Sequence, residues 1–354
     1  MDRLRGHGEG GHENHPMGDT GLARDLLGLI ERFAGGYVGL SVGAIVGHVE
    51  AAVSVGRTGP GGASPGRATT FQIGSVTKAL TSLLLADAVQ RGDVALDQRL
   101  DSIFPGTATH PDGQPITLVD LATHTSGLPR LPPGLWHRAL RTPKDPYSDL
   151  TREQVVEGLR RPPKRPAGRR YVYSNYGAGV LGEAMARACG RSYAELLSSR
   201  ITEPLGLNDT TVERQVHAMN IARGHSRRGR PVPDWHLAAL EGAGALRSTA
   251  SDLLVFLRAH LHLGHSALED PIRTVVERRW RVREGLHVAL GWHVLEHQDD
   301  SAWWWHNGGT GGFFSFVAFD PSTATGVAVL SNSARSVDRL GMAIMEDLRP
   351  RCPT

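Results

Sequence analysis

Apolar residues alternate with small or polar ones from position 39 to 55: Leu40, Val42, Ala44 and Val46, then Val49, Val53 and Val55. A period of two is the signature of half-buried strands, and the break at Gly47-His48 predicts a β-hairpin. Residues 23–33 repeat their apolar positions at helical spacing instead. Residues 75–91 differ from both. Leu80, Leu83, Leu84, Leu85, Ala88 and Val89 cover most of a helical circumference, and Gly92 stops the run. A helix apolar nearly all round belongs in the middle of a core.

Beyond residue 96, helical stretches (152–159, 178–188, 193–200 and 251–262) are separated by proline-rich loops at 131–134, 161–166 and 229–233. After 285 the texture returns to short strands, at 286–295, 303–306, 312–319 and 326–330, closed by a helix over 337–348. Strands at both ends with helices between them predict an α/β (α+β) chain in which a helical unit is inserted into a sheet unit. The expected boundaries are a disordered lead over 1–20, a discontinuous sheet domain over 21–95 and 280–350, and a mainly helical domain over 96–279. The active site is expected between the two domains.

Composition narrows the function. The 354 residues carry 39 basic and 36 acidic side chains with 40% hydrophobic content, which suits a packed globular chain. The small surplus of positive charge is spread out, so nucleic acid is not expected as a partner. No apolar run reaches the roughly 18 residues of a membrane span. No apolar leader is visible at the N-terminus, so a cytoplasmic location is the expectation. Cys189 and Cys352 form no disulfide framework or zinc pattern, so neither a metal nor another cofactor is expected. The oligomeric state is not legible.

Only three of the basic residues are lysines: Lys78, Lys144 and Lys164. Lysine can lose its proton when desolvated and arginine cannot, which draws attention to Lys78. It stands in Ser75-Val76-Thr77-Lys78 at the start of the apolar helix. Positions i and i+3 share a helix face, so the Ser75 hydroxyl and the Lys78 amine can meet there. Burial should depress the lysine pKa and let it assist removal of the serine proton. Tyr173-Ser174-Asn175 follows 98 residues after Ser75. A phenol beside an ammonium would have its pKa lowered and could serve as base and acid, with Asn175 offering a donor and an acceptor to a substrate amide. A loop tyrosine with a helix-capping asparagine would give the same tripeptide. The third element, His306-Asn307-Gly308-Gly309-Thr310-Gly311-Gly312, lets a backbone approach a ligand closely. The N–H groups of Ser75 and Gly309 could form an oxyanion hole.

In this order the three elements resemble the serine β-lactamase and penicillin-binding-protein superfamily, whose motifs are SxxK, SxN or YxN, and KTG or HxG. The tyrosine form resembles its class C β-lactamase-like branch of esterases, peptidases and transacylases. Residues 71–74, 121–129, 204–207 and 244–249 look like that branch too. The resemblance implies an antiparallel sheet flanked by helices plus a helical domain. It implies Ser75 as nucleophile, Lys78 as its activator and Tyr173 as general base and acid. Asn175, His306, Asn307, Gly308 and Gly309 would contact the substrate. Where a β-lactamase has lysine to meet the substrate carboxylate, this chain has His306, which lowers the expectation of β-lactam hydrolysis.

The expected function is therefore acyl transfer through a Ser75 ester of a small-molecule ester or amide. The acceptor would be water, or an amine or alcohol, in intracellular or specialised metabolism. The alternatives are β-lactamase or D-amino-acid peptidase activity, and a non-catalytic domain that keeps the fold to bind a ligand. Two other patterns carry less. Gly39-Leu40-Ser41-Val42-Gly43 spells a nucleophile elbow but lies inside the strand pattern, without a helix after it. His260, His262 and His265 have a zinc-like look, but they end a helix, where imidazoles favour the C-terminal dipole. His124 is expected to hold a turn near the site.

Overall fold

The computed structural model describes residues 19–135, 140–163, 170–212, 220–262, 266–277, 280–299 and 301–349. The lead expected over 1–20 falls almost wholly outside the described residues, as do Lys164, His265 and Cys352.

The predicted hairpin is present as β1 (Gly39–Val46) and β2 (Val49–Gly56), turning at Gly47 and His48. Two short strands, β3 (Phe71–Gln72) and β4 (Thr211–Val212), pair with β5 (Leu246–Ser248) in a small separate sheet. The C-terminal strands are β6 (Trp280–Arg283), β7 (Leu286–Val288), β8 (His293–Glu296), β9 (Ala302–Gly309), β10 (Phe314–Asp320) and β11 (Thr325–Ser331). Together with the hairpin they form an eight-stranded antiparallel sheet ordered β2-β1-β11-β10-β9-β8-β7-β6. The two ends of the chain therefore meet where β1 pairs with β11. The strand expected over 286–295 is in fact two. Gly291 takes φ +74 between them, and the Ala289 N–H donates to the Trp292 carbonyl at 2.9 Å, so the chain reverses.

The longer helices are α1 (Asp19–Phe33), α2 (Thr77–Gln90), α3 (Asn175–Ala188), α4 (Ala250–His260), α5 (Glu269–Glu277) and α6 (Asp338–Leu348). One face of the sheet is covered by α1 and α6, through a core that includes Leu26, Ile30, Phe316, Val329 and Ile344. The larger core lies on the other face and is continuous from Leu83 of α2 to Leu254 of α4 and Phe319 of β10. As its all-round apolar pattern predicts, α2 is buried from Thr77 to Ala88. The helical stretch expected to run to 279 rejoins the sheet earlier: β5 pairs with β3, and α4 packs on β1 and β11. Ser41 lies in the middle of β1, opposite Leu330, so it has no elbow to sit on. His260 is buried, its Nδ1 2.9 Å from the Phe256 carbonyl of its own helix.

Candidate active site

Ser75 occupies a single 3-10 turn, Gly74–Val76, that leads directly into α2. Gly74 takes φ +48, a conformation glycine adopts without cost. This turn is pressed against the end of β9. A side chain at Gly308 would come within 2.0 Å of the Ile73 carbonyl and 2.9 Å of the Ser75 nitrogen. One at Gly74 would meet the Gly309 nitrogen at 2.7 Å. The sequence must have glycine at both places, and the result is that the backbones of Ser75 and Gly309 lie side by side. The Ser315 hydroxyl of β10 donates to the Ile73 carbonyl at 2.7 Å and fixes the same contact from behind.

Lys78 lies one helical turn beyond Ser75 and is 2% exposed. Its Nζ is 2.8 Å from Ser75 Oγ and donates to the Ala243 carbonyl at 2.7 Å. No carboxylate is bonded to it. Burial, and after it the nearby Arg130 guanidinium, push its pKa well below the ordinary lysine value. As a neutral amine, Nζ keeps one N–H for Ala243 and presents its lone pair to the Ser75 hydroxyl.

The Tyr173 hydroxyl is hydrogen bonded to Ser75, and the Lys78 Nζ is 5.0 Å from the centroid of its ring. Contrary to the sequence-based expectation, this phenol is not shifted down. Burial drives its pKa up to about 12, the Ser75 bond and Arg130 opposing only in part. The expectation assumed a lysine ammonium beside it, and burial of Lys78 removes that charge. In the resting site Tyr173 is a phenol that can give a proton.

Ser174 caps α3, accepting from the Gly177 N–H at 2.8 Å and donating to the Pro129 carbonyl at 2.7 Å. Such a cap contributes roughly 1 kcal/mol to a helix. Asn175 is the first helical residue and not the cap. Its side chain is bonded to Tyr147, while its Oδ1 is buried without a partner and its residue lines the cavity in front of Ser75. That leaves an acceptor for a substrate N–H.

His124 performs the structural task expected of it. It adopts φ +59 and accepts twice from the Tyr-Ser-Asn segment: its carbonyl from Val172 N–H at 2.8 Å and its Nδ1 from Ser174 N–H at 3.2 Å. Its ring is 4.6 Å from that of Tyr173.

His306 is placed differently from the expectation. It is 1% exposed, is not among the residues that line the cavity, and lies behind Tyr173 with ring centroids 6.3 Å apart. Burial and the neighbouring His293 and Lys78 push its pKa well below the histidine range, so it is neutral and meets no substrate anion. Asn307 lines the cavity, but its side-chain amide donates to Asp338 at 2.8 Å. Gly308 and Gly309 do reach the cavity.

The cavity has a volume of about 560 Å³. Ser75, Tyr173, Asn175 and Gly309 share it with residues that the motifs did not reveal: Arg130, Tyr147, Trp235, His293, Trp305 and Phe314. Arg130 is its only charged lining residue, 5.2 Å from the Tyr173 ring centroid. No motif logic singles out this arginine among so many. Its backbone carbonyl, which accepts from Asn175 and Tyr176 N–H, ties it to the start of α3. Removing its charge, as in Arg130→Gln, is expected to raise the Lys78 pKa. The acid limb of kcat/KM, which reports the neutral amine, would then move to higher pH. A pH–rate profile of the variant checks this; a limb that stays put or moves down contradicts the reading.

Residues 26–348 match the family model described as Beta-lactamase. The chain belongs to the β-lactamase family. Among curated relatives, the D-alanyl-D-alanine-carboxypeptidase/endopeptidase AmpH of Escherichia coli (strain K12) is 30% identical, over 90% of this chain and 86% of that protein. A class C β-lactamase from Rhodobacter sphaeroides superposes with a TM-score of 0.78 at 25% identity, covering 92% of this chain and 97% of its own. The β-lactamase/D-alanine carboxypeptidase from Pseudomonas syringae does so with a TM-score of 0.80 at 22% identity, covering 93% and 99%. The family is one of serine hydrolases of the β-lactamase and penicillin-binding-protein type, and the fold is theirs: an antiparallel sheet flanked by helices. Among the described residues no helix is long and apolar enough to cross a membrane, and no group of histidine, cysteine and acidic side chains is placed to hold a metal.

Proposed function

We propose that this chain is a serine acyl-transfer enzyme of the class C β-lactamase-like type, acting on a small-molecule ester or amide through a Ser75 acyl-enzyme. The observation that carries the reading is the contact between Ser75 and a lysine that burial keeps neutral. Lys78 Nζ takes the hydroxyl proton as Ser75 Oγ bonds to the substrate carbonyl carbon. The oxygen, now negative, is held by the N–H groups of Ser75 and Gly309. When the tetrahedral intermediate collapses, the leaving nitrogen or oxygen takes the Tyr173 proton, and the tyrosinate recovers one from the Lys78 ammonium. Water, or an amine or alcohol acceptor, then attacks the ester, and the protons return along the same groups.

Treatment with a serine-directed fluorophosphonate, read by intact mass, tests the covalent step. One adduct is expected on Ser75. Its absence would favour a non-catalytic binder. An ester and amide library run with and without amine acceptors then separates hydrolysis from transfer: product that appears only with acceptor marks a transacylase.

A second reading is hydrolysis of a β-lactam or a D-alanyl peptide, favoured by the names of the relatives and by Arg130. Among the described residues no carboxylate pairs with this arginine. It would supply on the Tyr173 side the positive charge that His306 lacks. Nitrocefin opening, or D-alanine release from D-alanyl-D-alanine, above the rate of simple aryl esters would select it.

A further inference from the structure

Two aromatic side chains of the cavity come from outside the three motifs and are held with unusual care. Tyr147 and Trp235 face each other with ring centroids 5.6 Å apart and planes tilted by 60°. Both line the cavity, opposite walls of which include Trp305 and Phe314. Tyr147 is buried and bonded through its hydroxyl to Asn175. Trp235 is fixed by its backbone: its carbonyl accepts from Gln72 Nε2 at 2.9 Å, and its N–H is 3.5 Å from Gln72 Oε1. Gln72 Oε1 also accepts from the Thr310 hydroxyl at 2.8 Å. Gln72 stands three residues before Ser75, and Thr310 directly follows Gly309. One side chain thus registers the indole against both the nucleophile and the oxyanion donor. Neighbouring contacts brace the two loops: Arg247 pairs with Asp234, and the His236 backbone N–H and Nδ1 meet Asp145 at 3.0 and 2.6 Å.

We propose that Tyr147 and Trp235 form an acyl-group subsite that selects donors with a planar aromatic ring. Three features lead there. No acidic residue lines the cavity, so the walls are aromatic with a single cation. Two tilted rings on one wall give a flat guest an edge and a face, the geometry aromatic pairs prefer. The wall is tied through Thr310 to the strand that carries Gly309, whereas the leaving group departs toward Tyr173. The part of the substrate that meets the wall is therefore the acyl part, which stays on the enzyme after the leaving group has gone. The inference rests on the acyl-enzyme reading above.

The test compares p-nitrophenyl phenylacetate with p-nitrophenyl cyclohexylacetate, equal in leaving group and nearly equal in bulk. The wild type is expected to favour the aromatic ester by about tenfold in kcat/KM. Trp235→Leu should bring the ratio close to one, Trp235→Phe should retain most of it, and Tyr147→Leu should lower it independently. Because Tyr147 lies on a separate loop, its variant keeps the test sharp if Trp235→Leu does not fold. A wild-type ratio near one, or a ratio unchanged in both leucine variants, overturns the subsite while the acyl-enzyme, seen as the mass adduct of either ester, still stands. If neither ester acylates Ser75, the acyl-enzyme reading falls and the subsite falls with it.

Discussion

Ser75→Ala is expected to lower kcat/KM for every ester the wild type turns over by about 10⁴-fold or more, and to abolish the fluorophosphonate adduct. The size of the loss follows from what remains. The variant keeps the Ser75 and Gly309 N–H groups, because both are backbone and the Gly74–Gly308 contact does not involve the hydroxyl. It keeps the cavity as well. Binding and carbonyl polarisation survive and leave a residual rate over the uncatalysed one. What disappears is the bond that converts a one-step hydrolysis into two easier steps. Folding should be almost unchanged, since only one polar contact, to Lys78, is lost from a site where the lysine still has Ala243. An adduct that persists in the variant would show that another nucleophile had been labelled, and the assignment would fail.

Much of this arrangement was legible in the sequence because it depends on local rules. The hairpin over β1 and β2 follows from strict alternation, and the burial of α2 from apolar residues on every side. The approach of Ser75 and Lys78 follows from helical spacing alone, since three residues make one turn. What the sequence concealed depends on distant segments. The proton affinity of Tyr173 is set by burial among His124, His293 and His306, which arrive from three elements, and no spacing rule sums such contacts. His306 misled because a strand residue points to one face or the other. Its motif position suggested the cavity face, and it packs just behind it. Arg130, Tyr147 and Trp235 reach the cavity from loops whose courses are fixed by single hydrogen bonds to Asn175 and Gln72. Loop paths of that kind leave no periodic trace. The edge strand β6 was hidden for a similar reason: Trp280–Arg283 is mostly exposed, so its alternation carries no burial signal.

The other large effect is expected at Lys78. Lys78→Arg keeps length and positive charge but cannot lose its proton, and Lys78→Met keeps approximate volume but has no base. If the neutral amine accepts the Ser75 proton, both variants should lose roughly 10²–10⁴-fold in acylation rate, and raising the pH to 10 should rescue neither. If instead a cationic lysine served the site by its charge, the arginine variant would stay within about tenfold of the wild type, and the base assignment would be wrong. Stability supplies an independent check. The folded-state pKa of Lys78 lies below its unfolded value, so between the two the unfolded chain binds the extra proton. The contribution of this residue to stability therefore rises with pH across that window, from the depressed folded value up to the ordinary lysine range near 10.4. The melting temperature of the wild type should climb relative to that of Lys78→Met as pH is raised from 7 to 10, and the difference between the two proteins should shrink or reverse on return to pH 7. A constant difference would mean that the amine is already charged in the folded protein. The same burial that would make Lys78 a base at neutral pH thus destabilises the fold there, a cost borne at the residue on which the chemistry rests.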